Sequence, residues 1–307
     1  MLNKIIIFLA ASLVFYFSII FYSEVHFLDF SNFEFKLEYY PIIISILILH
    51  TLLHNLRFYR LLHRLKIKIS YIESLKISLA GMSLGLTPGG IGTAVKSHII
   101  KNKFGNSITS TLPIIFVERI TELMGIIFVL FSLNLIIFNL DSIIVSIIGI
   151  IFVTSFFLIL SRKSFFNLFE NLFIKIPFLK KVSSSIEESR ESLIQLLDKK
   201  TIFESAIYSI TSKFLYLVAI YYIFLSFGID LGIVTSATIY YTSLLIGAMS
   251  FIPAGIIITE SSMLAILSQH GIEFSIATLV VITLRIVGTW LLSLFGTLSY
   301  IIFYRKN

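Results

Sequence analysis

Cysteine is absent from all 307 residues, so neither a disulfide nor a thiolate metal site can organise this chain, and its redox compartment stays open. Charge is scarce as well: 13% of residues are Asp, Glu, Lys or Arg, where a soluble domain carries about a quarter. No His-Glu-x-x-His zinc pattern, no Gly-x-Ser-x-Gly serine elbow and no Walker phosphate loop occurs. What is abundant is apolar, with 57% of residues hydrophobic and 15% aromatic. Mostly apolar stretches near or above 18 residues recur, and roughly 20 residues of helix cross the hydrocarbon. The expectation is an all-α polytopic helical membrane protein, a single integral membrane domain over 1–307. The 24 Lys and Arg against 17 Asp and Glu cluster at helix ends, which points to membrane topology and anionic lipid and away from nucleic acid.

Apolar segments at 5–23, 41–63, 110–138, 142–160, 203–227 and 274–303 give about six full spans. The stretches 72–103 and 232–270 each carry a central interruption and read as re-entrant or broken helical hairpins, the second also as two short spans. The first segment follows Lys4 but lacks a small-residue cleavage signal, so it reads as a retained helix. Its exit loop, Glu24 to Glu38, holds four acidic residues against Lys36, while Arg57, Arg60, Arg64, Lys66 and Lys68 mark the next connection. Positive charge marks the cytoplasmic side of a cell membrane. With Arg162 to Lys200 and Arg305-Lys306, the bias places both termini in the cytoplasm. Between 161 and 202, phenylalanine-rich and charged amphipathic segments read as an interfacial or cytoplasmic elbow.

The two halves echo each other. Gly81-Met82-Ser83 leads to Pro88, Gly89 and Gly90, then Lys96 and Arg119; Gly247-Ala248-Met249-Ser250 leads to Pro253 and Gly255, then Glu260 and Arg285. Proline to arginine is 31 residues in one half and 32 in the other. With the orientation above, 1–140 and 141–307 become structural repeats of opposite sense, an inverted-topology repeat. Such repeats with broken helices hold the substrate at their interface in many secondary transporters. The same duplication would also serve a static bundle in which glycines permit close packing.

Several residues at these breaks can handle an anion. Pro88 removes a backbone donor, and Gly89, Gly90 and Gly92 expose backbone. A helix starting there, with Thr93 and Lys96 on its first turns, can face a phosphate. Glu118, Arg119 and Glu122 lie near the start of a long apolar segment, where charge is costly and faces a cavity or a partner. Glu260 and Arg285 supply the corresponding polar pair in the other half. His50 and His54 share a face of the second span and read as a polar seam or path lining more readily than as a metal pair. This chemistry involves no metal and no cofactor.

On these residues the chain resembles the lysylphosphatidylglycerol synthase transmembrane-region family, flippase-like integral membrane proteins, over nearly its whole length. The family's Pro-x-Arg-x-Gly-Glu-x-x-Arg hallmark is similar to the segment with Pro88, Gly92 and Lys96, while Gly90 and Thr93 stand where it has arginine and glutamate. Glu118-Arg119 matches a glutamate-arginine pair, and Pro253, Gly255, Glu260 and Arg285 fit the later hallmark. The sequence reaches Asn307 soon after its last apolar run, without the soluble aminoacyltransferase domain of some members. The resemblance therefore implies translocation of an anionic phospholipid or a polyprenyl-phosphate-linked glycan. Implied partners are membrane lipids or lipid-linked glycans and envelope-assembly proteins. A noncatalytic scaffold in cell-envelope assembly, or a membrane-embedded lipid headgroup transferase, are the alternatives.

Overall fold

The computed structural model describes residues 35–83, 94–161, 183–250, 252 and 255–304, and every regular element among them is helical. After a 3-10 turn at Leu37–Tyr39 come α1 (Tyr40–Arg64), α2 (Tyr71–Met82), α3 (Val95–Phe104), α4 (Ile108–Ile137) and α5 (Leu140–Ser161). They are followed by α6 (Ser183–Leu196), α7 (Lys199–Ser226), α8 (Gly232–Met249), α9 (Ile258–Gln269) and α10 (Phe274–Arg285). A π-helical turn, Ile286–Trp290, joins α10 to α11 (Leu291–Tyr304).

Six helical stretches among the described residues are long and apolar enough to cross a membrane: Leu37–Arg64, Ile108–Ile137, Leu140–Ile159, Lys199–Ser226, Gly232–Met249 and Phe274–Tyr304. Five correspond to apolar segments read from the sequence, and the 5–23 segment lies outside the described residues. The sixth, α8, is the first helix of the interrupted stretch 232–270, and the shorter α9 is the second. The stretch 72–103 holds two short helices, α2 and α3, with 84–93 outside the described residues. Positively charged Arg57, Arg60 and Arg64 do not form a connection. They belong to α1, and the link to α2 is only 65–70. The charged part of the 161–202 segment forms α6, which packs against α4 and has Leu193 and Leu196 buried.

Helix association inside a bilayer lacks a hydrophobic driving force, so packing depends on small residues and polar contacts. α1 and α7 pack extensively and run antiparallel. Their rungs are Arg64 to Asp198 at 3.7 Å, Arg60 to Glu204 at 3.4 Å, Arg57 to Ser209, and His50 to Ser212. α4 crosses α7 at Gly125, where a Cβ would stand 3.0 Å from the Ser209 backbone carbon. α11 lies against α2, with Ser293 and Ser299 donating to the Met82 and Lys76 carbonyls, while α8 lies against α4. Outside, Ile144, Ile147, Ile148 and Ile151 of α5 are exposed. A surface of that kind suits lipid and would aggregate in water.

At one end a clasp joins three helices. Ser70 caps α2 by accepting from the Glu73 amide, and the Glu73 carboxylate takes Lys103 at 2.6 Å from the end of α3 and the Tyr304 hydroxyl at 2.8 Å from α11. Partial burial acts to raise the Glu73 carboxyl, but the hydrogen bonds from Lys103 and Tyr304 outweigh it and hold the group below its ordinary 4.5.

Candidate functional site

On α1, His50, His54 and Arg57 are spaced four and three residues apart, so the helical period puts them on one face. Ser205, Ser209, Ser212 and Lys213 form a similar stripe on α7, and Glu118, Thr121 and Glu122 do so on α4. The stripes converge around a small cavity lined by His50, His54, Arg57, Glu122, Ser209 and Lys213, among others. Apart from these polar stripes the three helices are mostly apolar, and ionisable groups at such depth are tolerated where they face one another or a cavity.

The pairing inside this cluster is uneven. Lys96 reaches from α3 to both oxygens of Glu118, at 2.9 and 3.1 Å, with its ammonium 4.5 Å from the centre of the Phe58 ring. Both residues are buried. Glu122 takes Lys213 at 3.0 Å and Arg119 at 3.2 Å. Arg57 donates through Nη1 to the Thr121 and Ser209 hydroxyls, both neutral. Its Nε and Nη2 are buried without a hydrogen-bond partner, as is Nδ1 of His54. His50 Nδ1 lies 2.7 Å from the Ser212 hydroxyl. From His50 a row of ring contacts runs through Tyr216 at 5.1 Å to Tyr240 at 5.8 Å.

The second half holds a tighter pair. Arg285, the last residue of α10, meets Glu260 of α9 at 2.6 Å and donates to the Gly255 carbonyl at 3.3 Å. Gly255 has φ +62°, a left-handed conformation that favours glycine, and a Cβ there would approach the Gly247 backbone at 3.1 Å. Just beyond Arg285 the helix passes into the π turn. A Cβ at Gly288 in that turn would stand 2.6 Å from the Tyr216 hydroxyl.

The structure thus joins Lys96 to Glu118, Glu122 to Arg119, and Gly255, Glu260 and Arg285 to one another. Pro88, Gly89, Gly90, Gly92, Thr93 and Pro253 lie outside the described residues. Arg119 and Arg285, matched by spacing from proline, differ in place: the Arg119 side chain is 45% exposed and that of Arg285 9%. On α4 the buried ion pair to the preceding helix is made by Glu118, with Lys96, and not by Arg119. Sequence reasoning missed Arg57, taken for a connection cation, and Lys213 with its serine neighbours. The recurrence of polar residues at helical spacing along 205–213 was the available signal.

Comparison with known proteins agrees with this architecture. The chain is 26% identical over 226 residues to a UPF0104 membrane protein of Methanocaldococcus jannaschii, covering 72% of this chain and 94% of that one. It is 24% identical over 121 residues to a UPF0104 membrane protein of Methanothermobacter thermautotrophicus, covering 38% of this chain and 35% of that one. No solved structure matches. The family model described as lysylphosphatidylglycerol synthase TM region matches residues 5–296, and the chain belongs to that flippase-like membrane family.

Proposed function

We propose that the protein moves the polar head of an anionic phospholipid or a polyprenyl-phosphate-linked glycan across the membrane, between two halves of inverted sense. The observation that carries this reading is the buried cluster of charges around the α1, α4 and α7 cavity, inside helices otherwise apolar enough to lie in hydrocarbon. Burying charge there costs several kcal/mol unless it is paired or serves a polar passenger. Acyl or prenyl tails have no reason to leave lipid, so only the head needs the polar route.

The inverted relation between the halves is supported by reciprocal packing. α1 and α7 occupy equivalent places in their halves and pair antiparallel; α2 packs on α11 as α8 packs on α4. In each half an ion pair ties the second hairpin arm to the helix after it, Lys96 to Glu118 and Glu260 to Arg285. Gly81 and Gly247, which open the two echoing motifs, each lie against a side chain of the second arm, Lys96 and Thr259.

The test is reconstitution into liposomes carrying phosphatidylglycerol or polyprenyl phosphate labelled on the head group. Protein-dependent loss of label from one leaflet to a membrane-impermeant quencher is expected. No acceleration over empty vesicles for either lipid would remove the reading in favour of a scaffold, for which the closed Lys96–Glu118 and Glu260–Arg285 pairs would be packing contacts. A new lipid product in the presence of an aminoacyl or glycosyl donor would point to a transferase instead.

A further inference from the structure

Arg57 is the one cation of the central cluster whose hydrogen bonds, among the described residues, go only to neutral hydroxyls. Both neighbouring carboxylates are taken, Glu118 by Lys96 and Glu122 by Lys213 and Arg119. The two Arg57 nitrogens left without partners, Nε and Nη2, are not a random pair. They form one edge of the planar guanidinium, and their N–H bonds point the same way. That edge matches two oxygens of a phosphate or carboxylate. Arg57 is 2% exposed and lines the cavity together with Lys213, so its orphaned donors are held away from solvent beside a small cavity. An apolar environment penalises a buried cation that lacks an anion. Within the lining, Arg57 and Lys213 outnumber the single carboxylate of Glu122, which leaves an excess of positive charge.

We infer that this cavity is a phosphate-binding subsite, in which the Nε and Nη2 edge of Arg57 grips two oxygens of a phosphate ester while Lys213 contributes the second positive charge. The inference rests on the proposed translocation of an anionic head and names the residues that hold its phosphate. The cavity is far smaller than the sites of drug-sized ligands. It leaves no room for an extended glycan. His54, whose Nδ1 also lacks a partner, stands ready to hydrogen-bond the same ester.

The experiment measures binding apart from transport. The purified full chain in neutral detergent is titrated with dihexanoyl phosphatidylglycerol and, separately, with inorganic phosphate, reading the rise in melting temperature. A saturable rise is expected for the wild type, with apparent affinity at least tenfold weaker in Arg57→Lys, which keeps the charge and loses the planar edge. Leu53→Trp, filling the cavity with every charge retained, is expected to abolish the rise, and it serves if Arg57→Lys does not fold. A response to the lipid alone assigns the ligand as a lipid phosphodiester; an equal response to inorganic phosphate assigns a free phosphate. No saturable rise with either probe, or the same affinity in wild type and both variants, would overturn the subsite. Arg57-dependent binding in a chain that moves no lipid would keep the subsite and refute translocation.

Discussion

The two polar centres both pair carboxylates with cations, yet they are wired differently. In the second half one carboxylate meets one guanidinium, Glu260 with Arg285, and the Gly255 carbonyl takes a further donor. In the first, among the described residues, Lys96, Arg119, Lys213 and Arg57 gather round Glu118 and Glu122. The difference comes from α1 and α7, which bring Arg57 and Lys213 to the first centre. An ion pair of that kind holds helices together, whereas on the proposed reading the two added cations make the first centre one that seeks an anion.

The sharpest way to break this comparison is to strand a charge. Lys96→Met leaves Glu118 buried without its cation, and Arg285→Met does the same to Glu260. Each should destabilise by about 3–5 kcal/mol, seen as a lowered unfolding midpoint in detergent, with much of the loss recovered by Lys96→Met combined with Glu118→Leu. A smaller loss, about 1–3 kcal/mol, is expected for Gly247→Val, because added carbons meet the Thr259 side chain. Arg57→Met should change stability by no more than about 1 kcal/mol, since it strands no carboxylate and removes an unsatisfied buried cation. Equal losses in Lys96→Met and Arg57→Met would erase the distinction between a structural pair and a waiting cation.

The clasp at Glu73 should give the smallest effect. Its carboxyl is held below the ordinary value, so its contribution is complete above pH 4.5 and is lost as pH falls through the lower folded value. Lys103 is half-exposed, which limits the contribution to about 1 kcal/mol or less. Glu73→Gln should flatten the acid limb of a stability profile below the ordinary carboxylate range and leave the neutral region nearly unchanged.

Long apolar runs made most spans legible. The segment expected at 110–138 is the helix Ile108–Ile137, and that expected at 203–227 is Lys199–Ser226. Interrupted stretches were harder, because hydropathy has the same sign whether a helix stops halfway or crosses. Gly232–Met249 therefore emerged as a span-length helix only with its packing against α4, α7 and α9. Arg57 was obscured for a different reason. It stands beside Arg60 and Arg64 in the sequence, so charge counting assigned all three to the membrane surface. Arg60 and Arg64 do make partly exposed pairs with Glu204 and Asp198, but Arg57 lies one turn deeper, against Thr121 and Ser209. Pairwise matching of Arg119 with Arg285 was also incomplete, since spacing along the chain carries no information about which helix face turns inward.

Head-group translocation in proteoliposomes by the wild type, Arg57→Lys and Arg285→Gln, compared after each is shown to be folded and inserted, tests the central claim most directly. The account predicts protein-dependent movement of labelled phosphatidylglycerol or polyprenyl phosphate by the wild type. It also predicts at least a tenfold slower rate in both variants, through the loss of the phosphate grip in one and of the arm-to-helix tie in the other. Unchanged rates in both folded variants would contradict it.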